Sequence, residues 1–93
     1  MRIEDIHWNS EKDQQLRESR GISFESIVPY ILQGDILDIY DHPNQERYPG
    51  QQFFVVQTDT YVYLVPFIEK DGQVFLKSII PSRKAKRKYS KRE

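Results

Sequence analysis

Gln73-Val74-Phe75-Leu76-Lys77-Ser78-Ile79-Ile80-Pro81-Ser82-Arg83-Lys84-Ala85-Lys86-Arg87-Lys88-Tyr89 reads as a strand followed by a basic helix. Val74, Leu76, Ser78 and Ile80 alternate with Phe75, Lys77 and Ile79, the period of a pleated strand with two faces. Pro81 removes a backbone donor and ends the ladder, and Ser82 is a good N-cap for the segment beyond. The spacing predicts a terminal strand over about 73–80 that delivers a cluster of cations to one fixed place.

Two further strands, about 52–58 and 61–68, precede it, joined by Thr58-Asp59-Thr60 and by Glu69-Lys70-Asp71-Gly72. Such short connections make neighbouring strands antiparallel. Pro66 cannot donate to a ladder, so the middle strand needs a bulge or a locally unpaired side. Asp35 to Tyr40 reads as another strand with Leu37 and Ile39 inward. Between it and the next strand, residues 41–50 form a turn-rich loop that gathers His42, Arg47, Tyr48 and carboxylates.

Towards the N-terminus, Arg2 to Trp8 can form a short edge strand, with Trp8 a packing residue. A helix follows from Asn9-Ser10 to about Arg20, with Ser10 and Asp13 as a weak capping box and Gly21 as its stop. Leu16 is its one large aliphatic residue, which predicts a single shallow contact and leaves Arg17 and Arg20 open to solvent or a partner. Ser23 opens a second helix whose apolar face is Phe24, Ile27, Val28, Ile31 and Leu32. Pro29 either kinks that helix or lies in the first turn of a shorter one capped by Ser26, and Gly34 ends it. The expected fold class is therefore α+β: two N-terminal helices packed on an antiparallel sheet, with a basic C-terminal helix. The chain reads as a single domain over 1–93, with 82–93 a basic helix or tail.

The chain of 93 residues has no cysteine, which excludes a disulfide scaffold and any thiolate metal site. No signal-peptide core or membrane-length apolar run is visible, so a soluble, cytoplasmic protein without a membrane role is expected. The net charge of zero hides a division. Residues 82–93 hold seven cations against one anion, a net +6, and the preceding residues hold seven against thirteen, a net −6. This asymmetry points to a surface for a polyanion or an acidic partner; the plainer reading is a solvated tail. Asp35, Asp38 and Asp41 suggest a metal cluster only until their strand spacing is considered, and no metal or cofactor is expected.

Three pieces resemble the BrnT toxins of bacterial type II toxin–antitoxin systems. Ile6-His7-Trp8-Asn9 with Lys12 is similar to that family's opening aromatic-Trp-Asp/Asn followed by Lys. Gly21-Ile22-Ser23-Phe24-Glu25 is similar to the entry to its second helix, and Ile79-Ile80-Pro81-Ser82-Arg83-Lys84-Ala85 to the end of its last strand. The resemblance runs from about Ile6 to Tyr89 and implies a RelE-like fold, a metal-independent ribonuclease that inhibits translation, and a cognate ribbon-helix-helix antitoxin. Operator DNA would be bound only through that antitoxin.

RNA carries its own nucleophile in the 2′-OH. A small ribonuclease therefore needs a base, an acid for the leaving 5′-oxygen, and cations for the charge on the phosphorane. Arg83, at the strand-to-helix junction and matched to the family motif, is the first candidate for that cation; a salt bridge to Glu25 is its structural alternative. Arg47 is the second, and His42 is a candidate base or acid because histidine titrates near neutrality. His7 reads as structural. Arg20, near a family histidine position, and Lys84, Lys86 and Arg87 are candidate RNA contacts, with Tyr48 to stack on a base. The competing readings are an inactive RelE-fold module that binds RNA or protein, and a toxin acting on something other than RNA, as some members of the wider fold act on DNA gyrase. Ser19-Arg20 in place of Lys-His, and the absence of Glu from 85–89, favour the inactive module.

Overall fold

A computed structural model of the chain describes residues 5–89. Strand β1 (Ile6–Trp8) leads into helices α1 (Ser10–Arg20) and α2 (Phe24–Leu32). Strands β2 (Ile36–Asp41), β3 (Gln51–Gln57), β4 (Val62–Lys70), β5 (Gln73–Leu76) and β6 (Ile80–Pro81) follow, and helix α3 (Arg83–Tyr89) is last. The sheet runs β1-β5-β4-β3-β2, with β6 pairing to β4. The fold is α+β, but the sheet is mixed rather than antiparallel throughout. After two helices the chain enters the sheet again, and β1 lies parallel to β5 with Ile6 opposite Val74 and Trp8 opposite Leu76. Ile3 of the expected edge strand and the basic tail past Tyr89 lie outside the described residues.

The two N-terminal helices are tied to each other before they are tied to the sheet. Asn9, not Ser10, caps α1 by accepting from the Lys12 backbone N–H. Asp13 is then free of the capping box expected for it. Its Oδ1 accepts the backbone N–H of Phe24 at 2.7 Å, one of the orphan donors at the start of α2, while Oδ2 receives Arg17 Nε at 2.9 Å. Arg17 also reaches Glu25, and Arg20 donates through Nη1 to the Ile79 carbonyl. Both arginines stay exposed, as the sequence suggested, and each also has a partner within the protein. Leu16 is 2 % exposed and belongs to the main core, so the contact of α1 is deeper than expected too.

Ser23 and Ser26 close a reciprocal capping box at the head of α2, and Pro29 is carried inside the helix. Phe24, Ile27, Val28 and Ile31 go into the core; Leu32, at the helix end, stays 37 % exposed.

Two irregularities decide which side chains reach which face. Phe67 pairs with Leu76, yet Leu64 pairs with Ile80. Lys77, Ser78 and Ile79 therefore stand opposite only Val65 and Pro66. The Pro66 carbonyl accepts from Lys77 N at 2.7 Å, and in an antiparallel strand a residue's N and C=O face the same neighbour. The missing N–H of Pro66 thus falls at this bulge, as its chemistry demands. The extra residue reverses the alternation: Ile79 joins Val74 and Leu76 in the core, and Ile80 turns to the other face.

A second bulge falls between Ile36 and Asp38 of β2. Ile36 packs on the main core, and Leu37 joins a smaller cluster on the opposite face with Val55, Val62, Leu64, Ala85 and Tyr89. Ile39, expected inward, is 48 % exposed.

Candidate nucleic-acid interface

The two long helices cover one face of the sheet, and the other carries α3. Five of the seven residues of α3 are cationic, and its first turn holds Arg83 and Lys84 against the positive end of the helix dipole. Ser82 holds this end: its N–H donates to the Val62 carbonyl, its carbonyl accepts from Lys86, and its hydroxyl accepts from the Ala85 N–H. Ala85 anchors the helix on Val55 and Val62, and the Tyr89 hydroxyl donates to Asp38 Oδ2 at 3.1 Å.

With Ala85 and Tyr89 facing the sheet, a turn of 100° per residue sets the rest. Lys84 and Lys88 flank one side, where they line a groove of about 370 Å³ with Asp38, Tyr40, Leu64 and Tyr89. Lys86 flanks the other side, 5.6 Å from the centre of the Tyr61 ring. Arg83 and Arg87 fall on the outer side, exposed. Burial, then the charge of Asp38, raises the Tyr40 hydroxyl above its ordinary value. Burial, then the hydrogen bond to Asp38, does the same for Tyr89. Both hydroxyls are donors at neutral pH.

Beyond the groove a series of rings runs along the same face. Tyr40 lies 5.3 Å from Phe53, Phe53 5.1 Å from His42, and His42 4.4 Å from Tyr48. Arg47 closes the series, 5.6 Å from the centre of the Tyr48 ring. His42 Nδ1 accepts the Asn44 backbone N–H at 2.9 Å, so in the neutral ring the proton is on Nε2. On the far edge of this face His7 stacks on Phe75, 5.1 Å away, with its Nε2 buried and unpartnered among the described residues.

The cations expected to share one pocket do not converge. Arg83 follows Ser82, which pairs at the Val62 end of β4, while His42 and Arg47 lie in the loop that enters β3 at Gln51. Gln57 pairs with Val62 and Gln51 with Ile68, so almost all of β3 separates them, about 20 Å at 3.3 Å per residue. Arg20 is a clamp on the bulge. Of the expected RNA contacts, Lys84 faces the groove, Lys86 the hairpin ring, Arg87 the solvent, and Tyr48 the far end of the ring series.

Sequence reasoning missed Asp38, Tyr40, Lys88 and Tyr89. With Ile39 read as inward, alternation already places Asp38 and Tyr40 on this face; the bulge after Ile36, which it does not announce, brings Leu37 there as well. The helical spacing of Lys84 and Lys88 around Ala85 was the available signal for Lys88. Comparison of the chain with family models, with curated proteins and with solved structures finds no match. Among the described residues no helix is long and apolar enough to cross a membrane.

Proposed function

We propose that this chain is the toxin of a BrnT-like type II toxin–antitoxin pair with a RelE-like fold, and that it cleaves RNA by attack of the substrate's own 2′-OH. The observation that carries the reading is the groove under α3. There two lysines, two protonated tyrosines and one carboxylate meet over Val55, Leu64 and Ala85. Lys84 and Lys88 are placed to hold the phosphate and the charge that develops on it. Asp38 is the one carboxylate lining the groove and takes the part of the base, held by the Tyr89 hydroxyl, and the Tyr40 hydroxyl is the donor for the leaving 5′-oxygen. Arg83, on the outer side of α3, then contributes to the field around the site rather than to its first contacts. A ribbon-helix-helix antitoxin would silence the protein by covering α3, with operator DNA bound through the antitoxin.

The separation of Arg83 from His42 and Arg47 favours a second reading, an inactive RelE-fold module that grips RNA without cutting it. Incubating the purified protein with total RNA in EDTA separates the two. Cleavage is expected, reduced at least tenfold by Lys84→Ala with Lys88→Ala and less by Arg83→Ala. RNA left intact but bound with a steep salt dependence would establish the binding module instead.

A further inference from the structure

The loop between β2 and β3 has no helix or strand, yet the backbones of His42, Asn44, Arg47, Tyr48 and Gly50 are all hydrogen-bonded. Gln45 is the hub. Its Nε2 donates to the carbonyls of His42 and Gln51 at 2.9 and 3.0 Å, and its Oε1 accepts the Gly50 N–H at 2.9 Å. Asn44 adds a turn: its carbonyl accepts from Tyr48 N–H and its side chain from Arg47 N–H. Gly50, at φ +75, supplies the backbone reversal into β3 that an L side chain resists. This frame holds an exposed loop in one shape and presents the Tyr48 ring, backed by His42, to solvent.

A ring held rigidly, supported from behind and topped by a guanidinium has the make-up of a base-stacking site, because stacking needs a fixed apolar plane and Arg is itself a stacking surface. We propose that residues 42–50 form a preorganised site for one unpaired nucleobase of single-stranded RNA, with Gln45 as its positioning residue. The base stacks against the outer side of Tyr48, where Arg47 now sits, and Arg47 turns to the adjoining phosphate. The phosphates on one side of this base run over Phe53 and Tyr40 to Lys84 and Lys88. This assignment rests on the RNA-binding reading above and adds to it a contact with a base, at the far end of the ring series from the α3 lysines.

The test uses a short single-stranded oligonucleotide, 2′-deoxy throughout so that it cannot be cut, with an abasic residue placed at each position in turn. For the wild-type protein one position is expected to lose roughly tenfold in affinity when its base is removed. Tyr48→Ala and Gln45→Ala should erase that position dependence while the salt slope set by α3 stays as in the wild type, which a general loss of folding would not do. If no abasic position matters to the wild type although binding persists, the base site is wrong and the RNA-binding reading survives. If Gln45→Ala keeps the abasic signature, its positioning role is wrong. An absence of oligonucleotide binding at any salt overturns the underlying reading and this site with it.

Discussion

The two faces of this sheet are made from alternate residues of the same strands and end in opposite states. On one, Phe54, Val56, Val65, Phe67, Val74, Leu76 and Ile79 meet Phe24, Ile27, Val28 and Ile31 in a closed core. On the other, only Val55, Val62 and Ala85 form a fully buried cluster, and Tyr40 and Ile80 remain 40 % and 36 % exposed. Of the two helices over the first face, α2 has nine residues and no cation; the helix over the second has seven residues, five of them cations. A seven-residue helix with cations in its first turn is unstable alone, and the local conflict persists because Ala85 and Tyr89 hold it down. Stability therefore resides on the first face, which leaves the second free to carry charge.

The largest effect is expected on the closed face. The Phe54 ring lies 3.8 Å from that of Phe67 at an interplanar angle of 8°. Phe54→Ala should cost about 3–5 kcal/mol, read as a lower urea midpoint at unchanged slope. Leu64→Ala, on the other face, should cost less than half as much. Equal losses would mean that both faces bear the fold. Next comes Asp13→Ala, which strands the Phe24 N–H and releases Arg17. A loss of about 1–3 kcal/mol is expected in the same measurement, and no loss would show that the α1–α2 link is dispensable.

Much of the closed face was legible in the sequence, and much of the open face was not, for one physical reason. The apolar period of α2 and the turns at 58–60 and 69–72 are local signals, and α2, β3 and β4 follow from them, whereas the terminal strand expected over 73–80 is broken at 77–79 into β5 and β6. Pro66 even located its own irregularity. What alternation cannot show is an inserted residue. The bulge at 77–79 moved Ile79 inward and Ile80 outward, and the bulge after Ile36 put Leu37, expected inward, on the α3 side. The partners of Arg20 and Asp13 were not legible for a different reason. Each satisfies a backbone group far along the chain or on the next helix, and sequence spacing carries no record of such partners.

A smaller effect, confined to the open face, is expected for Lys84→Ala combined with Lys88→Ala. RNA affinity should fall roughly tenfold, and the slope of log affinity against log salt should shrink by about 1.4, the share of two phosphate contacts on a single strand. Thermal stability should hardly change, because neither lysine has an ion pair among the described residues. A shift in melting without a shift in salt slope would place these lysines in the scaffold.

The smallest effect concerns the latch between α3 and β2. Tyr89→Phe removes one partly exposed hydrogen bond and should cost under about 1 kcal/mol at neutral pH. Its pH dependence is more informative than its size. Burial and the bond to Asp38 raise the Tyr89 pKa in the folded protein above its ordinary value of 10.0. A group raised in this way contributes stability that is fully present below the unfolded value and is lost as the pH climbs through the folded one. The gap between wild type and Tyr89→Phe should therefore be constant up to about pH 9 and shrink above pH 10, as a phenolate forms beside the Asp38 carboxylate. Tyr40 is raised as well and is present in both proteins, so its titration cancels to first order in the difference. A gap that stays constant through pH 11 would mean that neither burial nor the bond to Asp38 distinguishes the Tyr89 hydroxyl of the folded protein, and that Tyr89 does not latch the end of α3.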